Sequence, residues 1–169
     1  MIRLYNGRGQ LGSELINYIN LEIECDIYHT WNFLDKNFEI QKKEYEKYCN
    51  YIKNKKHNQP FYFISTKNNC VNSYTFFKKL AELKTLEFGG TVIRIPNLIG
   101  RGFCDKLLEG KEAFSSVEVS PISECCQEII KIILKTKKEQ INEITGVSIS
   151  SHIIKEILLY GKMQQQKLL

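Results

Sequence analysis

Residues 2–12 read Ile2-Arg3-Leu4-Tyr5-Asn6-Gly7-Arg8-Gly9-Gln10-Leu11-Gly12. A short, mainly apolar run, Ile2 to Tyr5, enters a turn carrying Gly7, Gly9 and Gly12, after which Leu11, Leu15, Ile16 and Ile19 recur at helical spacing. A strand that turns through glycines into a helix gives those glycines a chemical use. The turn presents free backbone N–H groups to a pyrophosphate, and the missing side chains allow close approach. Gly7, Arg8, Gly9, Gln10, Leu11 and Gly12 are therefore the candidate cofactor-binding residues, with Arg8 also placed to approach a ribose 2′-phosphate.

Outward from this turn, strand-like and helix-like segments alternate. Ile23 to Thr30 reads as a second strand, and 38–55 as a long polar helix with Ile40, Tyr48 and Ile52 on its apolar side. Phe61 to Ile64 is a continuous apolar run of the buried parallel type. Tyr74 to Phe88 reads as a helix closed by Gly89-Gly90, Thr91 to Ile95 as a buried strand, and Pro96 to Gly100 as a loop. A short helix near 104–108, a strand at 117–119, a helix over 123–135, a strand over 141–147 and a helix over 150–160 complete the series. Such alternation predicts an α/β fold with a parallel sheet covered on both faces.

Composition narrows the function classes. At 169 residues, 43% hydrophobic and 25% charged, the chain has material for one core. The net charge of +5 is spread along the chain, its densest runs falling at helix ends, and no segment interleaves basic and aromatic residues on one face. This argues against nucleic-acid binding. No apolar run is long enough to span a bilayer. The six cysteines lack CxxC spacing and His29, His57 and His152 lack ligand spacing, so no metal site is expected. With no signal-like start, the expectation is a reduced, cytoplasmic protein.

The candidate catalytic chemistry lies at Tyr74-Thr-Phe-Phe-Lys78. Spacing of i to i+4 puts both side chains on one helix face, and an ammonium beside a phenol lowers the phenol pKa toward neutrality. Tyr74 then suits general acid/base work on a carbonyl/alcohol couple. Tyr51 and Lys55 share this spacing without the context. The first pair follows the buried strand ending in Ser65-Thr66, on the sheet edge where α/β proteins bind ligands.

The glycine turn, Phe63-Ile64-Ser65-Thr66, Tyr74-x-x-x-Lys78-x-x-x-Glu82 and Arg94-Ile95-Pro96-Asn97-Leu98-Ile99-Gly100 together resemble the ordered signature of the extended short-chain dehydrogenase/reductase family. That family includes sugar-nucleotide dehydratases, epimerases and 4-ketoreductases, and Gly9-Gln10-Leu11-Gly12 looks most like the last of these. Asp26 to Thr30 is similar to its fourth strand, 44–55 to its dimerising helix, and Ile144-Thr145-Gly146 to its tail. The resemblance implies a Rossmann-like, doubly wound single domain, with 1–100 as the dinucleotide-binding core and 101–169 as a small substrate-side segment. It further implies NAD or NADP as cofactor, a nucleotide-sugar substrate, and a homodimer through the two helices near 39–55 and 74–88. Thr66 would orient the substrate, Tyr74 would move the proton, Lys78 would bind the nicotinamide ribose, and Asn97 would lie near the substrate. Ser65 replaces Thr66 if the strand register slips by one.

The chain departs from that pattern in one large respect. If Asp26 to Thr30 is the fourth strand, the second and third are missing, and with them the residue that selects NAD against NADP. The connection from Thr66 to Tyr74 is also short, and Asn6 stands where a first glycine is usual. Two readings stay open: an NAD(P)-dependent oxidoreductase using the Tyr74, Lys78 and Thr66 set, or a degenerate binding or scaffold protein that keeps the fold without its cofactor.

Overall fold

The computed structural model describes residues 2–5, 9–18, 20, 22–55, 59–100, 104, 107–109, 116–135 and 139–166. Five strands form a parallel sheet in the order β1-β2-β3-β4-β7. They are β1 (Ile2–Tyr5), β2 (Cys25–Tyr28), β3 (Phe61–Thr66), β4 (Thr91–Ile95) and β7 (Ile141–Glu143). A smaller sheet holds β5 (Asn97–Ile99), β6 (Ser116–Pro121) and β8 (Val147–Ser150), with β6 parallel to β5 and antiparallel to β8. The helices are α1 (Gln10–Leu15), α2 (Phe38–Asn54), α3 (Ser73–Glu87), α4 (Ile122–Leu134) and α5 (Ser151–Gln166). A single 3₁₀ turn, Ile16–Tyr18, extends α1.

Strand alternation sorts the side chains into two layers. Ile2, Cys25, Ile27, Tyr62, Ile64 and Ile93 point to one face, where Leu11 and Leu15 of α1 meet Cys125, Cys126, Ile129 and Ile133 of α4. Tyr28, Phe61 and Phe63 point to the other face, against Tyr48 and Ile52 of α2 and Ala81 of α3. Side-chain caps fix where the second pair of helices begins. Asn37 accepts from the Glu39 N–H at 2.9 Å to start α2, and Asn72 and Thr75 form a reciprocal capping box at the start of α3. Helix α3 ends at Gly89, whose φ of 71° is a left-handed conformation. At the following Gly90 a Cβ would stand 2.3 Å from the Phe61 ring.

The layers reveal an unusual winding. The crossovers β1–α1–β2 and β2–α2–β3 advance one strand in the same direction, yet α1 and α2 cover opposite faces. They therefore have opposite hands, although about 98% of such connections are right-handed.

The remaining differences from sequence expectation are local. Residues 97–99, expected as loop, form β5 because β6 supplies a pairing partner; three residues show no period by themselves. The strand expected over 141–147 divides at Ile144-Thr145-Gly146 into β7 and β8, one for each sheet. Residues beyond 100 thus supply a strand of the main sheet as well as most of the small one. Of the helix expected near 104–108, Cys104, Leu107 and Leu108 are helical, and 105–106 lie outside the described residues. Among the described residues no helix is long and apolar enough to cross a membrane.

Candidate active site

The C-terminal ends of β1 to β4 share one edge of the parallel sheet. In open α/β sheets a ligand crevice forms where neighbouring strands send their chains to opposite faces, usually at a reversal of strand order. No reversal occurs here, but the same divergence does: β1 leads to α1 on the aliphatic face and β2 leads to α2 on the aromatic face. The chain therefore diverges between the ends of β1 and β2, which is where such a crevice would lie.

Thr66 ends β3, and Tyr74 is the second residue of α3. The Thr66 hydroxyl lies close enough to the Tyr74 phenol to act on its pKa. The short connection between them is held by local turns. The Thr66 hydroxyl accepts from the Asn68 N–H at 3.0 Å, Asn68 accepts from the Cys70 N–H at 2.8 Å, and the Thr75 hydroxyl donates to the Cys70 carbonyl. Burial pushes the Tyr74 phenol up to about 12, opposed by the nearby Thr66 hydroxyl. This is opposite to the lowering expected from the Tyr–Lys spacing.

Lys78 explains the difference. It lies one turn along α3 with only 4% of its surface exposed, and its Nζ donates to the Ile64 carbonyl at 2.7 Å. The ammonium sits 4.8 Å from the Trp31 ring centre and 4.6 Å from that of Phe63. Burial lowers its pKa to about 7, opposed by Glu82 and Glu44. Beside it, His29 ends the β2 segment with a buried Nε2 lacking a hydrogen-bond partner. Burial, then the Lys78 charge, brings His29 down to about 4. Sequence spacing could not show that His29 and Trp31, from one strand end, and Lys78, from a helix, form one cluster.

The remaining candidates divide. Ser65 is buried and donates to Glu82 Oε1 at 2.6 Å, while Arg94 binds the same carboxylate at 2.7 Å and Glu143 at 2.9 Å. Ser65 thus joins a network linking β3, α3, β4 and β7. Asn97 donates to the Glu118 carbonyl at 3.2 Å and lines a polar cleft of about 390 Å³ with Lys67, Asn69, Cys70 and Ser116. Glu118 closes one side of this cleft, pairing with Lys67 at 2.7 Å and accepting from the Gly146 N–H at 2.7 Å. A larger groove of about 540 Å³ runs beside α4 and β7, lined by Glu124, Glu128, Glu139 and Glu143 among others, and none of Gly9, Thr66 or Tyr74 borders it.

In the glycine stretch, Gly7 and Arg8 lie outside the described residues. Gly9 caps α1 in extended conformation with no side-chain cap bond, and a methyl group there would meet nothing within 4 Å. Leu11 is a core residue, Gly12 is buried, and any side chain at Gly100 would collide with the Gln10 amide. The open, uncapped turn at Gly9 fits a pyrophosphate. The Thr66–Tyr74 pair, two strands away, fits the reacting end of a nicotinamide dinucleotide. No strand beyond β1 is present among the described residues to wall the adenosine half. All six cysteines are free, and no metal-binding cluster occurs among the described residues.

No family model and no curated protein matches the sequence. Solved structures do share its fold. The structure of a hypothetical dTDP-4-dehydrorhamnose reductase from Sulfolobus tokodaii superposes with a TM-score of 0.72 at 16% identity, covering 93% of this chain and 80% of that one. A UDP-N-acetylglucosamine 4-epimerase from Methanobrevibacter ruminantium, in complex with UDP-N-acetylmuramic acid, gives 0.66 at 11% identity over 92% and 80%. The Bordetella bronchiseptica enzyme WbmH, in complex with NAD+, gives 0.53 at 14% identity over 88% and 60%. At these identities the likeness is one of fold: the chain is a Rossmann-like α/β protein.

Proposed function

We propose that the chain belongs to the extended short-chain dehydrogenase/reductase family and is an NAD(P)-dependent oxidoreductase acting on a nucleotide-linked sugar. The observation that carries this reading is the placement of Thr66, at the end of β3, beside Tyr74, at the start of α3, on the C-terminal edge of the parallel sheet, behind the open Gly9 turn. NAD or NADP would supply or accept the hydride. Tyr74 would pass the proton at the substrate oxygen, and Thr66 would orient that oxygen through its hydroxyl. A phenol raised to about 12 stays protonated at neutral pH, so the resting site is set to donate, as carbonyl reduction requires. Lys78 would meet the nicotinamide ribose by leaving the Ile64 carbonyl for the crevice. Asn97 and the polar cleft beside it suit a hydroxyl-rich sugar, while the Ser65–Glu82 bond leaves Ser65 a supporting part. Parallel calorimetric titrations with NADH and NADPH test the reading. Binding of one, with turnover on a nucleotide sugar that Tyr74→Phe lowers by about a hundredfold or more, is the expected result.

The same chain would pair through α2 and α3. Phe38, Phe76 and Leu83 on these helices, and Phe88 beyond them, are exposed, so a dimer by light scattering at micromolar concentration is expected.

A second reading, a scaffold that has lost its cofactor, draws support from Lys78, whose Nζ is committed to Ile64 between two aromatic rings. Failure to bind either NADH or NADPH would favour it.

A further inference from the structure

We propose that the exposed ring of Tyr5 is a stacking platform for the adenine base of the dinucleotide, replacing the wall that the absent strands would have formed. This inference rests on the dinucleotide-binding reading above. Tyr5 is the last residue of β1 and directly precedes the glycine-rich stretch. It points to the aromatic face beside its register partner Tyr28, and the two rings stack with centres 4.8 Å apart and planes 18° from parallel. Tyr51 leans on the same ring at 4.9 Å and 57°.

One face of the Tyr5 ring is therefore covered by Tyr28, and its tilt is set by Tyr51. The opposite face looks off the sheet. Strand β1 is outermost, no strand among the described residues lies beyond it, and Tyr5 is 39% exposed. Arg3, two residues earlier on the same face, is committed to Asp26 at 2.7 Å and to Gln59, so this edge offers an aromatic surface rather than a free cation. A ring already oriented by two neighbours loses little freedom when a third planar group joins the stack. Any purine presents such a π-face, and stacking needs no hydrogen-bond readout.

The position suits the ligand. Gly9 lies four residue steps beyond Tyr5, at most about 14 Å of chain, so a nucleoside whose pyrophosphate rests at the turn has its base within reach of the ring. From the same turn the nicotinamide half would extend the other way, across the end of β2 toward Thr66 and Tyr74 on β3 and α3.

The test is calorimetric titration of the wild-type chain, Tyr5→Ser and Tyr5→Phe with NADH, ADP and reduced nicotinamide mononucleotide. The expected result is that Tyr5→Ser weakens ADP and NADH by about tenfold or more, that Tyr5→Phe matches the wild type, and that mononucleotide affinity is the same in all three. Tyr5→Leu, which keeps the apolar edge and removes the π-face, substitutes if the serine variant does not fold. Unchanged ADP and NADH affinity in the serine or leucine variant overturns the proposal, as does an equal loss for the mononucleotide. Wild-type protein that binds ADP but neither NADH nor NADPH would keep the platform and remove the oxidoreductase reading. Binding of NADH and mononucleotide without ADP would do the reverse, and binding of none would remove both.

Discussion

The two faces of the central sheet are packed by different chemistry. On the α1–α4 side the buried residues are isoleucines, leucines, three cysteines and a tyrosine, with Cys125 and Cys126 acting as small apolar groups whose thiols burial raises to about 12. On the α2–α3 side the layer is aromatic and carries polar groups inside it. Lys78 lies between Trp31 and Phe63, Tyr48 bonds Thr85 at 2.5 Å, and the Trp31 indole donates to Gln41 at 2.7 Å. The aliphatic face holds the sheet together. The aromatic face also places ionisable groups beside the ligand edge, because a ring tolerates a cation over its surface where an aliphatic side chain offers no compensating field.

This contrast is open to direct attack. The largest effect should come from the aliphatic side, where Ile129→Ala leaves a cavity in a fully buried site. A loss of about 4 kcal/mol by denaturant unfolding is expected, equal at pH 7 and pH 9. A loss that changed with pH would show that the two layers are not independent.

The aromatic side should respond to pH instead. The Lys78 pKa falls from an ordinary 10.5 to about 7 on folding, so the unfolded chain binds the extra proton between those values. Stability is full above the unfolded pKa and declines as pH falls toward 7, by about 1.4 kcal/mol per unit. Lys78→Met should remove that slope between pH 7 and 9 and make the protein more stable at pH 7. Persistence of the slope would mean that the ammonium reaches solvent. His29 acts in a lower window: its folded pKa of about 4 against 6.5 means stability declines as pH falls from 6.5 toward 4, which His29→Phe should reduce.

The smallest effect concerns one hydrogen bond. Thr85 donates its hydroxyl proton to the Ala81 carbonyl at 2.7 Å, so Tyr48 must be the donor in the bond between them. Tyr48→Phe removes that donor without emptying the site, and about 1 kcal/mol at any pH below 9 is expected by thermal unfolding. A loss several times larger would indicate that the hydroxyls form a cooperative network.

Much of the fold was readable because its signals are local. The run Phe61 to Ile64 is a strand by composition alone, and Gly89-Gly90 marks a helix end because a positive φ disfavours other residues. The order of glycine turn, Ser65-Thr66, Tyr74 and Lys78 located the ligand edge, since strand ends and helix starts follow chain order. Weak local signals misled: Asn97 to Ile99 needed β6 to become a strand, and the 141–147 run divides because its halves pair with different sheets.

Sequence by itself determined the element types, the parallel alternation and the residues available for chemistry, all of which depend on neighbours within a few positions. Tertiary structure alone decided the faces on which α1 and α2 lie, and hence the opposite crossover hands and the divergence of the chain between β1 and β2. It also decided the state of the chemical groups. Spacing put Tyr74 near Lys78, but the amine lies between Trp31 and Phe63 and donates to the Ile64 carbonyl, while the phenol's own burial raises it. Desolvation depends on everything packed around a group, and no spacing along the chain encodes it.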